Sequence, residues 1–338
     1  MRRTATAAAL LLVPALLLTA CSSSKPKSAD AATPQASASA SATQSAVPVP
    51  PVVDSTDNLP AVTGAFGSTP TVKIPSTKPG SAFVVHTVSE GNGATIGAKD
   101  FAVFNFSVID WTTGKTLAAA YGKGGAPELL QPTQQVLAPL QDAVVGHKVG
   151  SRVVVVAPPA AATEQMSASG LQQNNVGAKD TLVFVVDVNQ RIGAQDSVQG
   201  TQQASPAGMP SVDATAGKAA TFTIPAAART PKALQTGVLI KGTGQKVLAG
   251  ETIVVQYTGA TLADGKVFDS SWKDAGAFAT VIGQGQVIPG WDQGLVGQTV
   301  GSRVLLSIPS ALAYGAQGTQ GIPANAPLVF VVDILAAA

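Results

Sequence analysis

Side chains capable of covalent or metal chemistry are scarce in this sequence. Its 338 residues include one cysteine, Cys21, and two histidines, His86 and His147. A zinc site of the Cys/His type needs three or four such ligands, and this stock holds only three, far apart in sequence. A Ser-His-Asp triad would have to use one of the two histidines, and neither lies in a nucleophile motif. Each histidine reads as a surface or strand residue, and one cysteine makes no internal disulfide. The last third of the chain does carry a run of aromatic residues, among them Tyr257, Phe268, Trp291, Tyr314 and Phe330, with Asp269 directly after Phe268. Taken singly, Tyr257, Phe268 and Phe330 fit the core of a small β domain. A lone Asp269 fits a solvated turn.

The elements that must position these residues are mostly strands. Glu251–Leu262 is rich in β-branched and aromatic residues, and Ala263-Asp264-Gly265-Lys266 after it is a turn signal. Lys266–Ser270, Phe278–Ile282, Arg303–Ile308 and Leu328–Leu335 read as further strands. Only Pro289–Val296 reads as helix, with Pro near its start and Gly297 after its end. Many antiparallel strands with one short helix predict an α+β domain.

The pattern occurs twice. Val300-Gly301-Ser302-Arg303-Val304 repeats Val149-Gly150-Ser151-Arg152-Val153, and Leu-Val-Phe-Val-Val-Asp stands at 182–187 and again at 328–333. Ile74-Pro75 matches Ile224-Pro225, and Glu90-Gly91-Asn92-Gly93 matches Lys241-Gly242-Thr243-Gly244. A repeat this long is a duplicated globular domain and not a solenoid. The copies are expected at 59–192 and 209–338, with a Gln/Ser/Gly-rich linker at 193–208. Because Val-Gly-Ser-Arg is common to both, it is read as structural.

Ahead of the copies lies an address. Residues 1–20 combine Arg2 and Arg3 with an apolar run broken by Pro14, too short for a membrane span, and read as a secretory signal peptide. The run ends Leu18-Thr19-Ala20-Cys21, which resembles the bacterial lipobox and makes Cys21 the expected lipidation site. Acyl chains there would tether the protein to the membrane, each buried methylene contributing about 0.8 kcal/mol. Residues 21–58 are dominated by Ser, Ala, Thr and Pro and are expected to be a disordered spacer of roughly 35 Å. The formal net charge is +2, and Arg2 and Arg3 supply that excess. The mature chain is thus near neutral, which excludes a broad nucleic-acid face.

The second copy resembles the FKBP-type peptidyl-prolyl cis-trans isomerases over residues 237–336. The resemblance is carried by Val255-Gln256-Tyr257-Thr258-Gly259, Asp264-Gly265-Lys266-Val267-Phe268-Asp269-Ser270-Ser271, Val287-Ile288-Pro289-Gly290-Trp291-Asp292-Gln293-Gly294-Leu295, Val300-Gly301, Ala313-Tyr314-Gly315, Gly321-Ile322-Pro323 and Leu328-Val329-Phe330. Each piece is weak alone; their order and spacing make the signal strong. The resemblance implies two FKBP-like domains, each a curled antiparallel sheet of about five strands around one short helix. It also implies an apolar pocket with Tyr257, Phe268, Phe278 and Phe330 as walls and Trp291 as floor. Val287 and Ile288 would line the rim, with the Ile288 N–H holding a substrate carbonyl. Tyr314 would offer a hydroxyl at the mouth, Ile322 would overhang it, and Asp269 would place a carboxylate beside it. No cofactor is implied, and a macrolide inhibitor is a family-implied ligand.

The first copy departs from this set. Phe106 stands for Tyr257, Leu117 for Phe268, Ala118 for Asp269, Leu140 for Trp291 and Thr163 for Tyr314, while Phe184 keeps the place of Phe330. The pocket is expected to be lost there, with a fold of the same class and little or no isomerase activity. The leading expectation is thus a lipid-anchored, extracytoplasmic isomerase acting on prolyl bonds of unfolded or exported polypeptides. Its rivals are a chaperone or peptide-binding module without catalysis, and a wall-facing spacer.

Overall fold

The computed structural model describes residues 48–338 apart from 123–126, 132–135, 216 and 274–275. The segment 1–20, Cys21 and residues 21–47 lie outside the described residues.

The second half of the chain forms a six-stranded antiparallel sheet: Gln235–Ile240, Thr252–Thr261, Val267–Ser270, Phe278–Val281, Arg303–Ile308 and Leu328–Ala337. Leu328–Ala337 lies between Arg303–Ile308 and the long strand Thr252–Thr261. The strand beyond the expected five is Gln235–Ile240, which pairs with Arg303–Ile308, while Val267–Ser270 and Phe278–Val281 share one edge of Thr252–Thr261, pairing with its two ends. Side chains alternate between two buried faces. Val304, Leu306 and Ile308 point inward with Phe330 and Val332, whereas Leu305, Val329 and Val331 belong to an outer cluster. A sheet covered on both faces needs near-continuous apolar strands, and that is the composition of Arg303–Ile308 and Leu328–Ala337.

The helix Pro289–Leu295 covers the inner face. It can lie close because Gly290 and Gly294 face the sheet: a Cβ on either would come within 2.5 Å of Ile308 or 2.6 Å of Leu306. A hairpin not foreseen from sequence, Ser211–Asp213 with Thr221–Thr223, covers the outer face through Val212 and Phe222.

The first half repeats this strand order in a seven-stranded sheet and departs from expectation in three ways. Residues 48–58, assigned above to a disordered spacer, carry the strand Val52–Val53, which pairs in parallel with Phe83–Val84, so the sheet is not purely antiparallel. His86 on the neighbouring strand Phe83–Ser89 pins this segment through a hydrogen bond with Asp54, Nδ1 to Oδ1 2.8 Å. Two α-helices, not one, are present: Ala138–Val144, matching Pro289–Leu295, and Ala168–Asn174. The second begins at a Ser167 cap accepting from the Gly170 N–H at 3.1 Å and ends at Asn175 in the left-handed region, signals too local to show as an apolar period.

The repeated Val-Gly-Ser-Arg and Val-Val-Asp segments meet across each sheet. Arg303 grips Asp333 through two hydrogen bonds of 2.6 and 2.7 Å, and Arg152 grips Asp187 with the same distances. Both pairs are buried. The remaining guanidinium donors hold the covering segments: Arg152 donates to the carbonyls of Gly64, Ala65 and Ser68, and Arg303 to Ala214 and the Gln202 side chain. The structural reading of this motif thus has its cause in one bidentate pair per sheet.

Residues 193–208 run along the second sheet. Gln256 donates to the Ala194 carbonyl at 2.7 Å, the Val198 N–H to Asp333 at 3.3 Å, and the Gln203 N–H to the Leu239 carbonyl at 2.7 Å. Val198 also sits in an apolar cluster that joins Phe101, Val103 and Ile192 to Ile240, Val254 and Leu335. The two sheets are therefore packed together through this segment.

Candidate functional site

The concave face of the second sheet gathers the residues singled out above. Thr252–Thr261 presents Tyr257, whose ring centroid lies 5.3 Å from Trp291, 5.9 Å from Phe278 and 6.3 Å from Phe330. Phe330 in turn lies 5.3 Å from Trp291 and 5.6 Å from Phe268. Four of these five contacts are edge-to-face, the arrangement that ring quadrupoles favour. The result is a box of five rings. Trp291 forms its base, 4% exposed, with an indole N–H that makes no hydrogen bond among the described residues. Phe278 stands at the open side, 40% exposed.

Polar groups mark one rim. The Tyr257 hydroxyl donates to Asp269 Oδ2 at 2.5 Å, and Asp269 Oδ1 accepts from the Ser270 N–H at 2.8 Å. Asp269 itself is exposed. Tyr314 reaches the same rim, 39% exposed. Partial burial, and then the charge of Asp269, push its phenol above the usual range, so the hydroxyl stays protonated at neutral pH. Ile322 is buried against the box, held by reciprocal backbone hydrogen bonds with Thr319 of 2.9 and 3.0 Å. Val287 and Ile288 are half-buried against the same cluster. The Ile288 N–H makes no hydrogen bond among the described residues, while its carbonyl accepts from the Trp291 N–H at 2.9 Å. All ten expected pocket residues thus belong to one neighbourhood.

Three residues that stand inside the quoted motifs, with no role assigned from sequence, position the site. Gly259 faces the box; a Cβ there would lie 2.5 Å from Phe330 and 2.7 Å from Phe268, so only glycine lets both rings settle on this strand. Asp292, in the first turn of the helix, accepts from the N–H groups of Gly283 and Gly285 at 2.7 and 2.8 Å and fixes the loop that delivers Val287 and Ile288. Ser271 accepts from the Tyr257 N–H at 2.9 Å. Gly259 had a visible signal, a glycine inside a β-branched strand, which marks a close approach. Asp292 and Ser271 stand inside the motifs as well, but their residue types alone give no sign of a role.

The first sheet has an open space at the equivalent place. A partly open cavity of about 90 Å³ is lined by Phe106, Leu117, Ala118, Val136, Leu140 and Phe184, among others. The expectation that the pocket is lost is corrected: the space persists because smaller side chains retreat from it, and its aromatic floor and polar rim are what is missing. Thr163, opposite Tyr314 in the repeat, is buried and its hydroxyl faces the carbonyls of Ala178 and Asp180, away from any mouth.

The family model for FKBP-type peptidyl-prolyl cis-trans isomerase matches residues 243–335. The FK506-binding protein of Streptomyces anulatus is 43% identical over 98 residues, covering 28% of this chain and 79% of its own. The peptidyl-prolyl cis-trans isomerase FPR2 of Saccharomyces cerevisiae is 47% identical over 91 residues, 27% of this chain and 67% of the yeast protein. The solved structure of AtFKBP13 matches 33% of this chain and 98% of its own at 33% identity, with a TM-score of 0.30. Only 19% of FK506-binding protein 4 of Chaetomium thermophilum is matched. With the Streptomyces relative covered over most of its length by the segment that builds the ring box, the chain belongs to the FKBP-type peptidyl-prolyl cis-trans isomerases.

Proposed function

We propose that the second unit, residues 209–338, rotates X–Pro amides in exported polypeptides from a membrane tether at Cys21, and that the first unit, residues 59–192, is a degenerate, non-catalytic copy. The lipobox-like sequence and the spacer after it support the tether. The box of five rings with the Tyr257–Asp269 hydrogen bond on its rim supports the chemistry and is the observation that carries this reading.

Rotation of an X–Pro bond is slow because amide resonance opposes it, with a barrier of about 18–20 kcal/mol. No nucleophile, base or metal has to act. The enzyme needs only to bind the twisted amide better than the planar one. Tyr257, Phe268, Phe278, Trp291 and Phe330 take the pyrrolidine ring out of water, and Val287 and Ile322 close over it. The Ile288 N–H holds a carbonyl of the flanking chain. Asp269 orients Tyr257, and with Tyr314 it sets the polarity next to the rotating bond. An acceleration of 10³–10⁵ requires about 4–7 kcal/mol of such preference. A macrolide of suitable size would compete for the same box.

The test is proline-limited refolding of a model protein with catalytic amounts of the chain. The wild type should accelerate it, Phe268→Ala should remove most of the effect, and Asp269→Ala should lower turnover about tenfold with peptide affinity nearly unchanged. Full acceleration by a folded Phe268→Ala protein would sink the site assignment. No acceleration by the folded wild type would leave a peptide-binding module without catalysis.

A further inference from the structure

The cavity of the first unit has no assigned role, and its chemistry differs from that of the box. Strand register makes the comparison residue by residue. Val255 pairs with Phe278 in the second sheet, and its counterpart Phe104 pairs with Glu128 in the first. A carboxylate therefore replaces one ring, Leu140 replaces the indole floor, and Phe106 beside Ala118 replaces the hydroxyl–carboxylate pair. Val176 overhangs as Ile322 does, and Met166 adds a thioether. What remains is an apolar hole walled by Phe104, Phe106 and Phe184 and by aliphatic side chains, with two polar residues in its lining: the half-buried Glu128, and Asn174, which donates to the Gly170 carbonyl at 2.8 Å and keeps its side-chain oxygen as an acceptor.

We propose that this cavity is a second binding site, which takes a single aliphatic side chain, Leu, Ile or Met, of an unfolded polypeptide. The volume of about 90 Å³ suits one such side chain. The polar lining argues the same way. Two acceptors meet the N–H donors of a peptide backbone, whereas the carboxylate or phosphate of a lipid would be brought against Glu128. Burial of Glu128, which pushes its carboxyl above the usual range, shows that its surroundings favour a neutral or donor neighbour over an anion. Without a flat aromatic floor or the hydroxyl–carboxylate pair, the cavity binds and does not catalyse. The site rests on the reading of the first unit as non-catalytic and is independent of catalysis by the second.

The test uses the full chain and a fluorescein-labelled, proline-free peptide with one Leu in a Ser/Gly/Asn background, beside the same peptide with Ser in place of Leu. The Leu peptide should bind at least tenfold tighter. Ala118→Leu and Leu140→Trp, on separate elements, should each fill the hole and weaken binding tenfold or more, with refolding acceleration unchanged. Trp291→Ala should do the reverse. In the wild type, the methyl resonance of Met166 should shift on titration while that of Met209, buried under the hairpin of the second unit, stays in place. The proposal is overturned if the Ser peptide binds equally well, if the Met166 signal does not move, if Trp291→Ala abolishes binding, or if laurate displaces the peptide more effectively than unlabelled peptide does. Loss of acceleration alone would count against the isomerase reading and leave this one standing.

Discussion

The two sheets share strand order, a helix on the concave face, a covering hairpin (Ala61–Thr63 with Thr71–Lys73 in the first, Ser211–Asp213 with Thr221–Thr223 in the second) and a buried Arg–Asp pair with identical hydrogen-bond lengths, yet they enclose different interiors. One is a box of five packed rings with a hydroxyl–carboxylate pair on its rim; the other is an apolar hole without an indole floor, beside a half-buried glutamate. The common parts satisfy backbone and buried charge, which any chain of this topology must do. The parts that differ line the pocket and pack on the core beneath it. A duplicated fold can thus keep its frame and exchange its site, because the strand pairing and the Arg–Asp pair do not involve the pocket side chains.

That division can be broken at its strongest point. Asp333→Ala leaves the Arg303 guanidinium buried, with only Gln202 and the Ala214 carbonyl as partners. Removing one member of a buried pair costs about 3–5 kcal/mol. Asp187→Ala should cost a similar amount in the first unit, where three hairpin carbonyls depend on Arg152. Chemical unfolding measures both, and indifference of either variant would show that the pair is not part of the frame.

A smaller and more selective change exchanges the interiors. Trp291→Leu gives the second unit the floor of the first. It should lower kcat/KM about a hundredfold, close to 2.7 kcal/mol of transition-state preference, with the sheet intact by circular dichroism. An unchanged kcat/KM would mean that the floor is packing alone and that the two interiors differ for no catalytic reason.

Much of this was legible in the residues. Five of the six strands of the second sheet fall within two residues of their expected bounds, since apolar runs bounded by turn residues leave little freedom; Gln235–Ile240 was not read as a strand. The pocket set was legible because it came in motifs of known order. The hairpins under each sheet were missed because Ser211–Asp213 and Thr221–Thr223 are three residues long and become stable only against the outer face. Segment 193–208 read as a linker from composition, yet its glutamines are the groups that bond to Arg303, Val212 and Leu239. Polar composition says that a segment can be solvated; it does not say whether buried partners await it. Glu128 stayed invisible for another reason. Its equivalence to Phe278 is a matter of strand register, and no shared motif surrounds it.

Glu128 also supplies the smallest test of the comparison. Burial raises its carboxyl pKa above the ordinary 4.5. Between that value and the raised one the folded chain holds a proton that the unfolded chain releases, so stability falls as pH rises through this window. Below it both states are protonated and the cost of a buried charge is absent; above it the cost is complete. Glu128→Gln removes the titration. At pH 7 the variant should melt about 1–3 °C higher, the shift expected from a fraction of a kcal/mol in a domain of this size, and the gain should vanish near pH 4. Phe278 holds the same register position without a charge, so Phe278→Leu should leave the pH dependence of melting as it was. A Glu128→Gln gain that persists at pH 4 would assign the effect to packing, and the electrostatic difference between the two interiors would then rest on Asp269 alone.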